Sequence, residues 1–288
     1  MATLREIRTR IASVKSTQQI TKAMKMVAAA KLRKAQEKIL ATRPYAQKLK
    51  NVVGHLIARI ENNRHPMLVT RPAEKFLLVI VTSDRGLCGA YNANIIRHAV
   101  TQIKSYTDKE VSIYVIGKKG LEYFSRRDYK IFNQKINFFN QLNFQDAIEI
   151  VANLVEVYSK NHFDRIEILY NQFKSALRQD ITLEQFLPFM PDEEMMQSAS
   201  QVDYLYEPGK DDILKVIIPK QLNIQMWKVL LESSTSEQGS RMTAMESATD
   251  NAEDLIAELT LHYNRARQAA ITKEISEIVG GAEALQEK

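Results

Sequence analysis

Glycine and proline are scarce at the two ends of this 288-residue chain, which holds nine glycines and seven prolines in all. No glycine precedes Gly54 and the only proline before it is Pro44; between Lys210 and Val279 the only glycine is Gly239 and the only proline Pro219. These residues are the strongest helix interrupters, so stretches this free of them can stay helical throughout. At a rise of ~1.5 Å per residue, the later stretch reaches about 100 Å and the earlier about 80 Å. A compact domain has no use for such rods, whereas a chain whose two ends combine into a shaft does. Cysteine is nearly absent. Cys88 alone excludes an internal disulfide and suits a reducing compartment. One cysteine and five scattered histidines offer no zinc-ligand spacing. Long apolar runs are missing too: the longest, Phe76 to Val81, is far too short to cross a bilayer.

What is present is a concentration of positive charge. The net charge of +6 divides into +11 over residues 1–50, where Glu6 and Glu37 are the only acids, and −5 over the rest. A basic rod calls for an acidic partner. At ~100° per residue, Arg5, Arg8, Arg10, Lys15, Lys22, Lys25, Lys31, Arg33, Lys34 and Lys38 spread around the whole circumference. A DNA-reading helix would gather them on the groove side. Tyr45 is the only aromatic in this segment, so stacking platforms for single strands are missing. A membrane-surface helix would need one broad apolar face. A rod surrounded by acidic protein fits best, although such charges can also simply solvate a long helix. The Arg- and Ser/Thr-rich start has the look of a transit peptide, but its pattern continues unbroken into the rod.

The apolar residues of the first rod are expected to form a seam that changes face. Leu4, Ile7, Ile11 and Val14 make one stripe, Ile20, Met24 and Val27 lie nearly opposite, and Leu32 and Ile39 swing back. In the last stretch Met245, Ala248, Ala252, Leu255, Leu259, His262, Ala266 and Ala269 keep coiled-coil spacing, with alanines that admit close approach of another helix. His262 has no second ligand spaced to join it. Gly280 and Gly281 are expected to stop this helix.

The middle differs in kind. Phe76–Thr82 is the continuous apolar run of a buried parallel strand. Helices are expected at Ile95–Lys104, Lys118–Arg127 and Ala147–Lys160, and further strands at Val111–Ile116 and Arg165–Phe173. That alternation is the pattern of an α/β domain with a largely parallel sheet. The first strand runs into SDRGLCGAYNAN, which invites a nucleotide-binding reading. Gly86 and Gly89 satisfy neither G-x-x-x-x-G-K-[ST] nor G-x-G-x-x-G, and Gly117 and Gly120 fare no better. Asp84 and Arg85 beside Cys88 make no nucleophile–base pair.

The opening REIRTRIASVKSTQQITKAMKMVAAAKLRKAQ, the loop TSDRGLCG, the phrase DYLYEP and the ending RMTAMESATDNAEDLI…YNRARQAAITKEISEIVGGA resemble the gamma subunits of F-type ATP synthases, of bacterial type, over nearly the whole chain. Ile271-Thr272, Glu274, Glu277 and Gly281-Ala282 carry the most specific part. Segment 129–145 and PKQLNIQMWK are less like that family. The resemblance implies an antiparallel coiled coil of the terminal helices, residues 1–60 and 209–288, around which an α/β domain, residues 72–205, is set to one side. It implies a non-catalytic central-stalk rotor with no cofactor, metal or small-molecule substrate, coupling ion-driven rotation of a c ring to conformational change in beta subunits. Its partners would be the alpha, beta and epsilon subunits and the c ring, at the cytoplasmic face of the plasma membrane without insertion into it. Contacts with the beta ring would fall on Met24, Arg241, Gln268, Thr272 and Glu274, with Lys22, Lys25 and Arg33 as a basic collar. Contacts with epsilon and the c ring would fall on Tyr204, Leu205, Tyr206 and Glu207. A basic coiled-coil adaptor for nucleic acid or an acidic scaffold is the alternative.

Overall fold

The computed structural model describes residues 3–57, 65–190 and 209–286. These divide into two compact units: residues up to Val27 together with those from Met242 onward, and Ala28–Arg241.

Two long helices supply the ends of the chain. Helix α1 spans Leu4–Ile57 and α5 spans Lys210–Gln286. Thr3 starts α1: its hydroxyl accepts from the Glu6 amide at 3.3 Å while the Thr3 amide donates to Glu6 Oε2 at 2.8 Å, the reciprocal pair of a capping box. Helix α1 continues through Pro44 and α5 through Pro219. Proline costs about 3 kcal/mol inside a helix. Burial of Ile218 and Leu222 on either side of Pro219 offsets that cost. Helix α5 also runs on through Gly280 and Gly281, where the sequence led us to expect a stop. A helical glycine costs only ~1 kcal/mol relative to alanine, and the residues that follow, Ala-Glu-Ala-Leu-Gln, are strong helix formers.

In the first unit, α1 and α5 pack antiparallel. Thr21 and Thr249 share a hydrogen bond of 2.8 Å, and Lys25 Nζ donates to Glu246 Oε1 at 2.6 Å. One residue number rises as the other falls. The seam of α1 does not change face. Its covered positions run through Leu4, Ile7, Ile11, Val14, Gln18, Thr21 and Lys25 in a regular 3–4 alternation, with Met24 half-buried beside them, while Ile20 and Val27 stand 57% and 56% exposed. The stripe expected on the opposite side, at Ile20 and Val27, is therefore not packed against α5. Here Gln18 and the Thr21–Thr249 pair occupy the seam, and a polar seam residue of that sort fixes register at some cost in stability. On α5 the covered positions include Met245, Ala248, Ala252, Leu255, Leu259, Tyr263, Ala266 and Ala270. Tyr263 and Ala270 thus stand where His262 and Ala269 were expected. The His262 side chain is 61% exposed and lies 3.8 Å from Glu258.

The second unit is built on a five-stranded sheet. Strands β1 (Lys75–Val81), β2 (Glu110–Ile116), β3 (Ile131–Lys135), β4 (Arg165–Phe173) and β5 (Gln179–Leu187) lie in the order β3-β2-β1-β4-β5. All neighbours are parallel except β4 and β5. Helices α2 (Tyr91–Ser105), α3 (Lys118–Phe124) and α4 (Phe144–Ser159) connect them. Strands β1, β2 and β4 are buried on both faces, which explains their unbroken apolar runs. On one face Leu77, Val79, Val81, Tyr114, Ile116, Ile168 and Tyr170 join α4 and the segments of α1 and α5 that carry Leu49, Val53, Leu56, Leu214, Ile218 and Leu222. On the other, Leu78, Ile80, Ile113 and Val115 meet Ile95, Ile96 and Ala99 of α2 and Phe124 of α3. Asn143 caps α4, its side chain accepting from the Asp146 amide at 3.1 Å while the Asp146 carboxylate accepts from the Asn143 amide at 3.0 Å. Gly117, at φ +95°, closes the turn from β2 into α3; a Cβ there would lie 2.2 Å from the Thr82 carbonyl oxygen.

Candidate functional surfaces

The first surface is the free end of the coiled coil. The register set by Thr21–Thr249 and Lys25–Glu246 brings Leu4 near Ala266. Ala270 is half-covered, and Ile271 through Val279 are exposed. From residue 271 to 279, about 13 Å of helix continues with its side chains exposed. Ile271, Ile275, Ile278 and Val279 form a stripe at helical spacing, 47%, 55%, 71% and 56% exposed. Together they make an exposed apolar row along one side of the helix.

The sequence-named contact residues fall unevenly. Gln268, Thr272 and Glu274 are exposed on this end of α5, where the Thr272 hydroxyl donates to the Gln268 carbonyl at 2.9 Å. Lys22 is exposed and Met24 half-buried. Lys25 is engaged by Glu246 of the same chain. In the second unit Arg33 is 84% exposed and donates to Glu37 at 3.1 Å. Tyr204, Leu205, Tyr206 and Glu207 lie outside the described residues.

Arg241 is the centre of a second arrangement, inside the second unit. Its guanidinium donates to the Glu237 carboxylate one turn earlier and to the carbonyl of Gly86 in the loop after β1. Both side chains of the pair are largely covered, 11% and 7% exposed. Burial raises the Glu237 carboxyl above its ordinary pKa, and the Arg241 hydrogen bond and charge pull it back. The loop is internally tied as well. The Ser83 amide donates to Asn92 Oδ1 at 3.0 Å, and Asn92 Nδ2 donates to Cys88 Sγ at 3.3 Å. Burial pushes the Cys88 thiol up, chiefly against Arg241, so it is not an activated nucleophile. Asp84 takes the Lys118 and Asn137 amides at 3.1 and 2.8 Å and the Phe139 amide at 3.3 Å, stitching three connections together. Leu87, at φ +63°, projects from the loop with 67% of its surface exposed. Sequence reading found this loop but not its anchors. The Glu237-x-x-x-Arg241 spacing was the available signal; the Gly86 partner, 155 positions away, had none.

Among the described residues no group of His, Cys, Asp and Glu could hold a metal ion, and no helix is long and apolar enough to cross a membrane. The features that stand out are a two-helix rod with an uncovered apolar end and a loop clamped to a long helix. They define a mechanical element, a shaft that works by contact.

The comparisons with known proteins give that class its family. The family model described as ATP synthase matches residues 3–285. The ATP synthase gamma chain of Chloroherpeton thalassium is 51% identical, with 100% of this chain and 99% of that one covered. That of Trichlorobacter lovleyi is 46% identical over 99% of this chain and 100% of its own length. Among solved structures, the central stalk/c-ring of the Tetrahymena thermophila mitochondrial ATP synthase contains a chain 28% identical at TM-score 0.60, covering 80% of this chain and 99% of that one. The OSCP/F1/c-ring structure from Euglena gracilis contains one 25% identical at TM-score 0.70, covering 98% and 94%. The chain belongs to the ATP synthase family, among its gamma chains. It is a non-catalytic central-stalk subunit that couples rotation to catalysis.

Proposed function

We propose that the free end of the coiled coil turns inside a ring of alternating alpha and beta subunits, while the opposite end of the shaft engages epsilon and the c ring at the cytoplasmic face of the membrane. In this reading the terminal segments 1–60 and 209–288 form the shaft and 72–205 the domain beside it. The observation that carries the proposal is the uncovered apolar stripe Ile271–Ile275–Ile278–Val279 at the end of α5. Ile20 and Val27, seven residues apart on α1, add a second uncovered row in the same unit, with half-buried Met24 between them.

The chemistry of these surfaces suits a bearing. Apolar rows hold by non-directional contact, and exposed charge pairs contribute only ~0–1 kcal/mol each and exchange readily. Lys22, Lys25 and Arg33 supply the charged collar toward the beta ring with Met24 beside them, and Gln268, Thr272 and Glu274 lie near the stripe. Arg241 takes a different part: engaged by Glu237 and Gly86, it fixes the loop bearing Leu87 to α5, so the beta subunits meet it through that loop. Tyr204, Leu205, Tyr206 and Glu207 are proposed for epsilon and the c ring. Rotation is productive only where the contact free energy differs between angles, and two rows of unequal length on two helices supply such asymmetry.

The test is co-purification followed by substitution. The full chain is expected to assemble with alpha, beta and epsilon subunits. Ile271→Ser with Ile275→Ser should leave the isolated chain folded, because both side chains are exposed, and lower ATP-driven ion pumping in the complex several-fold. Unchanged pumping would remove the stripe from the bearing. Strongly salt-dependent binding to DNA or RNA in place of assembly would favour the adaptor reading.

A further inference from the structure

A groove of about 870 Å³ lies between α2 and α3, on the sheet face lined by Leu78, Ile80, Ile113 and Val115. It belongs wholly to the second unit and plays no part in the contacts proposed above. Its apolar part comes from Ile96 and Val100, one turn apart on α2, and from Tyr123 on α3. Its polar lining is unbalanced. Arg97, Lys119, Arg126 and Arg127 face a single carboxylate, Glu122, and Lys119 Nζ already holds that carboxylate at 2.6 Å. Among the described residues no acid pairs with Arg97, Arg126 or Arg127, and all three are exposed. The groove therefore combines an apolar strip with uncompensated guanidinium groups along its sides.

We propose that this groove docks an acidic amphipathic helix of a partner protein, apolar side chains on Ile96 and Val100 and carboxylates toward Arg97 and Arg126, while Arg127 stays stacked on Tyr123. Spacing supports a helix: a two-residue apolar strip one turn long matches side chains at i and i+4 of a helical ligand. Arginine forks suit carboxylates, each able to take two parallel hydrogen bonds. A nucleotide fits less well. The one aromatic face, Tyr123, is already covered by the Arg127 guanidinium at 3.7 Å from the ring centroid, and no glycine-rich turn offers amides to phosphate. A lipid surface fits less well because the apolar residues lie on the floor of a concavity and not on a projecting edge.

The experiment uses the full chain and a fluorescein-labelled synthetic 16-residue peptide with leucine at i, i+3, i+4 and i+7 and glutamate at most other positions. Fluorescence anisotropy is read at low and raised salt, beside a charge-matched peptide with every leucine replaced by glutamine. Arg97→Glu with Arg126→Glu is expected to weaken peptide binding at least tenfold, and Val100→Asp to do the same by blocking the apolar strip. Arg8→Glu with Lys34→Glu, which removes charge from α1, should leave it within twofold. Circular dichroism checks each fold, and Arg97→Gln with Arg126→Gln replaces the first variant if it is unfolded. Equal binding of the leucine-free peptide, insensitivity to the groove variants, or loss with the α1 variant would overturn the proposal. So would phosphatidylglycerol vesicles that bind through Arg97 and Arg126 when the peptide does not.

Discussion

Replacing Arg241 with alanine tests the clamp between α5 and the loop after β1. The substitution strands the Glu237 carboxylate, which is 7% exposed, and leaves the Gly86 carbonyl without its guanidinium donor. Breaking a buried pair by removing one partner costs about 3–5 kcal/mol, and an orphaned buried acceptor adds roughly 1–3 kcal/mol. Glu237 limits the loss by taking up a proton. Its carboxyl is raised by burial from the ordinary 4.5 even with Arg241 present, and without that cation it rises further. An acid whose folded pKa is raised binds its proton more tightly when folded. The stability it allows is therefore fully present below 4.5 and is lost as pH rises through the folded pKa. Arg241→Ala should thus cost roughly 3–5 kcal/mol at pH 7.5 and clearly less near pH 4.5. Glu237→Gln with Arg241→Ala should recover about half of the loss, because no charge is left buried. Urea denaturation of the full chain, followed by circular dichroism across pH, gives all four corners of the cycle. A loss under about 1 kcal/mol at pH 7.5, or one that is independent of pH and additive with Glu237→Gln, would refute the buried-pair reasoning.

Four other outcomes follow from the same structure. Met24→Lys adds a charge to the collar beside Lys22 and Lys25; in the assembled complex it should lower ion pumping more than ATP hydrolysis through an added interaction of ~1 kcal/mol, and equal loss of both, or no change, would make Met24 a packing residue. Glu232→Gln should stabilise the chain at pH 8 and converge on the parent near pH 4.5, since burial raises the Glu232 carboxyl and its Oε2 lacks a hydrogen-bond partner; a melting temperature unchanged at pH 8 would contradict this. Gly117→Ala should cost about 3 kcal/mol in urea denaturation, from a Cβ driven against the Thr82 carbonyl and a positive φ. Leu56→Ala, at a position with no exposed surface, should cost about 2–5 kcal/mol by the same measurement, and a loss below 1 kcal/mol would mean that this end of α1 is not held in the core.

The long helices were legible because what specifies them is negative: few glycines and prolines over many residues. Strands β1, β2 and β4 were legible because burial on both faces demands unbroken apolar runs. Strands β3 and β5 were not, and both are sheet edges. In β3, Ile131 and Asn133 share one side while Phe132 and Gln134 take the other, a half-exposed alternation that five residues cannot separate from loop. Which apolar residues of α1 pack on α5 was not legible at Ile20 and Val27, because an exposed apolar residue leaves the same mark in a sequence as a buried one. His262 was misplaced by one position, which at 100° per residue is enough to move a side chain from seam to solvent. The pairing of Arg241 with Gly86 depends on where the chain folds back, and no local pattern encodes it.

The most direct test of a rotating shaft is to watch it turn. Lys104 is exposed near the end of α2, and Cys88 is 1% exposed, so Lys104→Cys offers one accessible thiol for a bead or gold particle. With the alpha–beta ring fixed to a surface and ATP added, the account predicts that the label circles in one direction, with pauses repeating at the symmetry of the ring. ATP hydrolysis at full rate in complexes whose label stays still would contradict it.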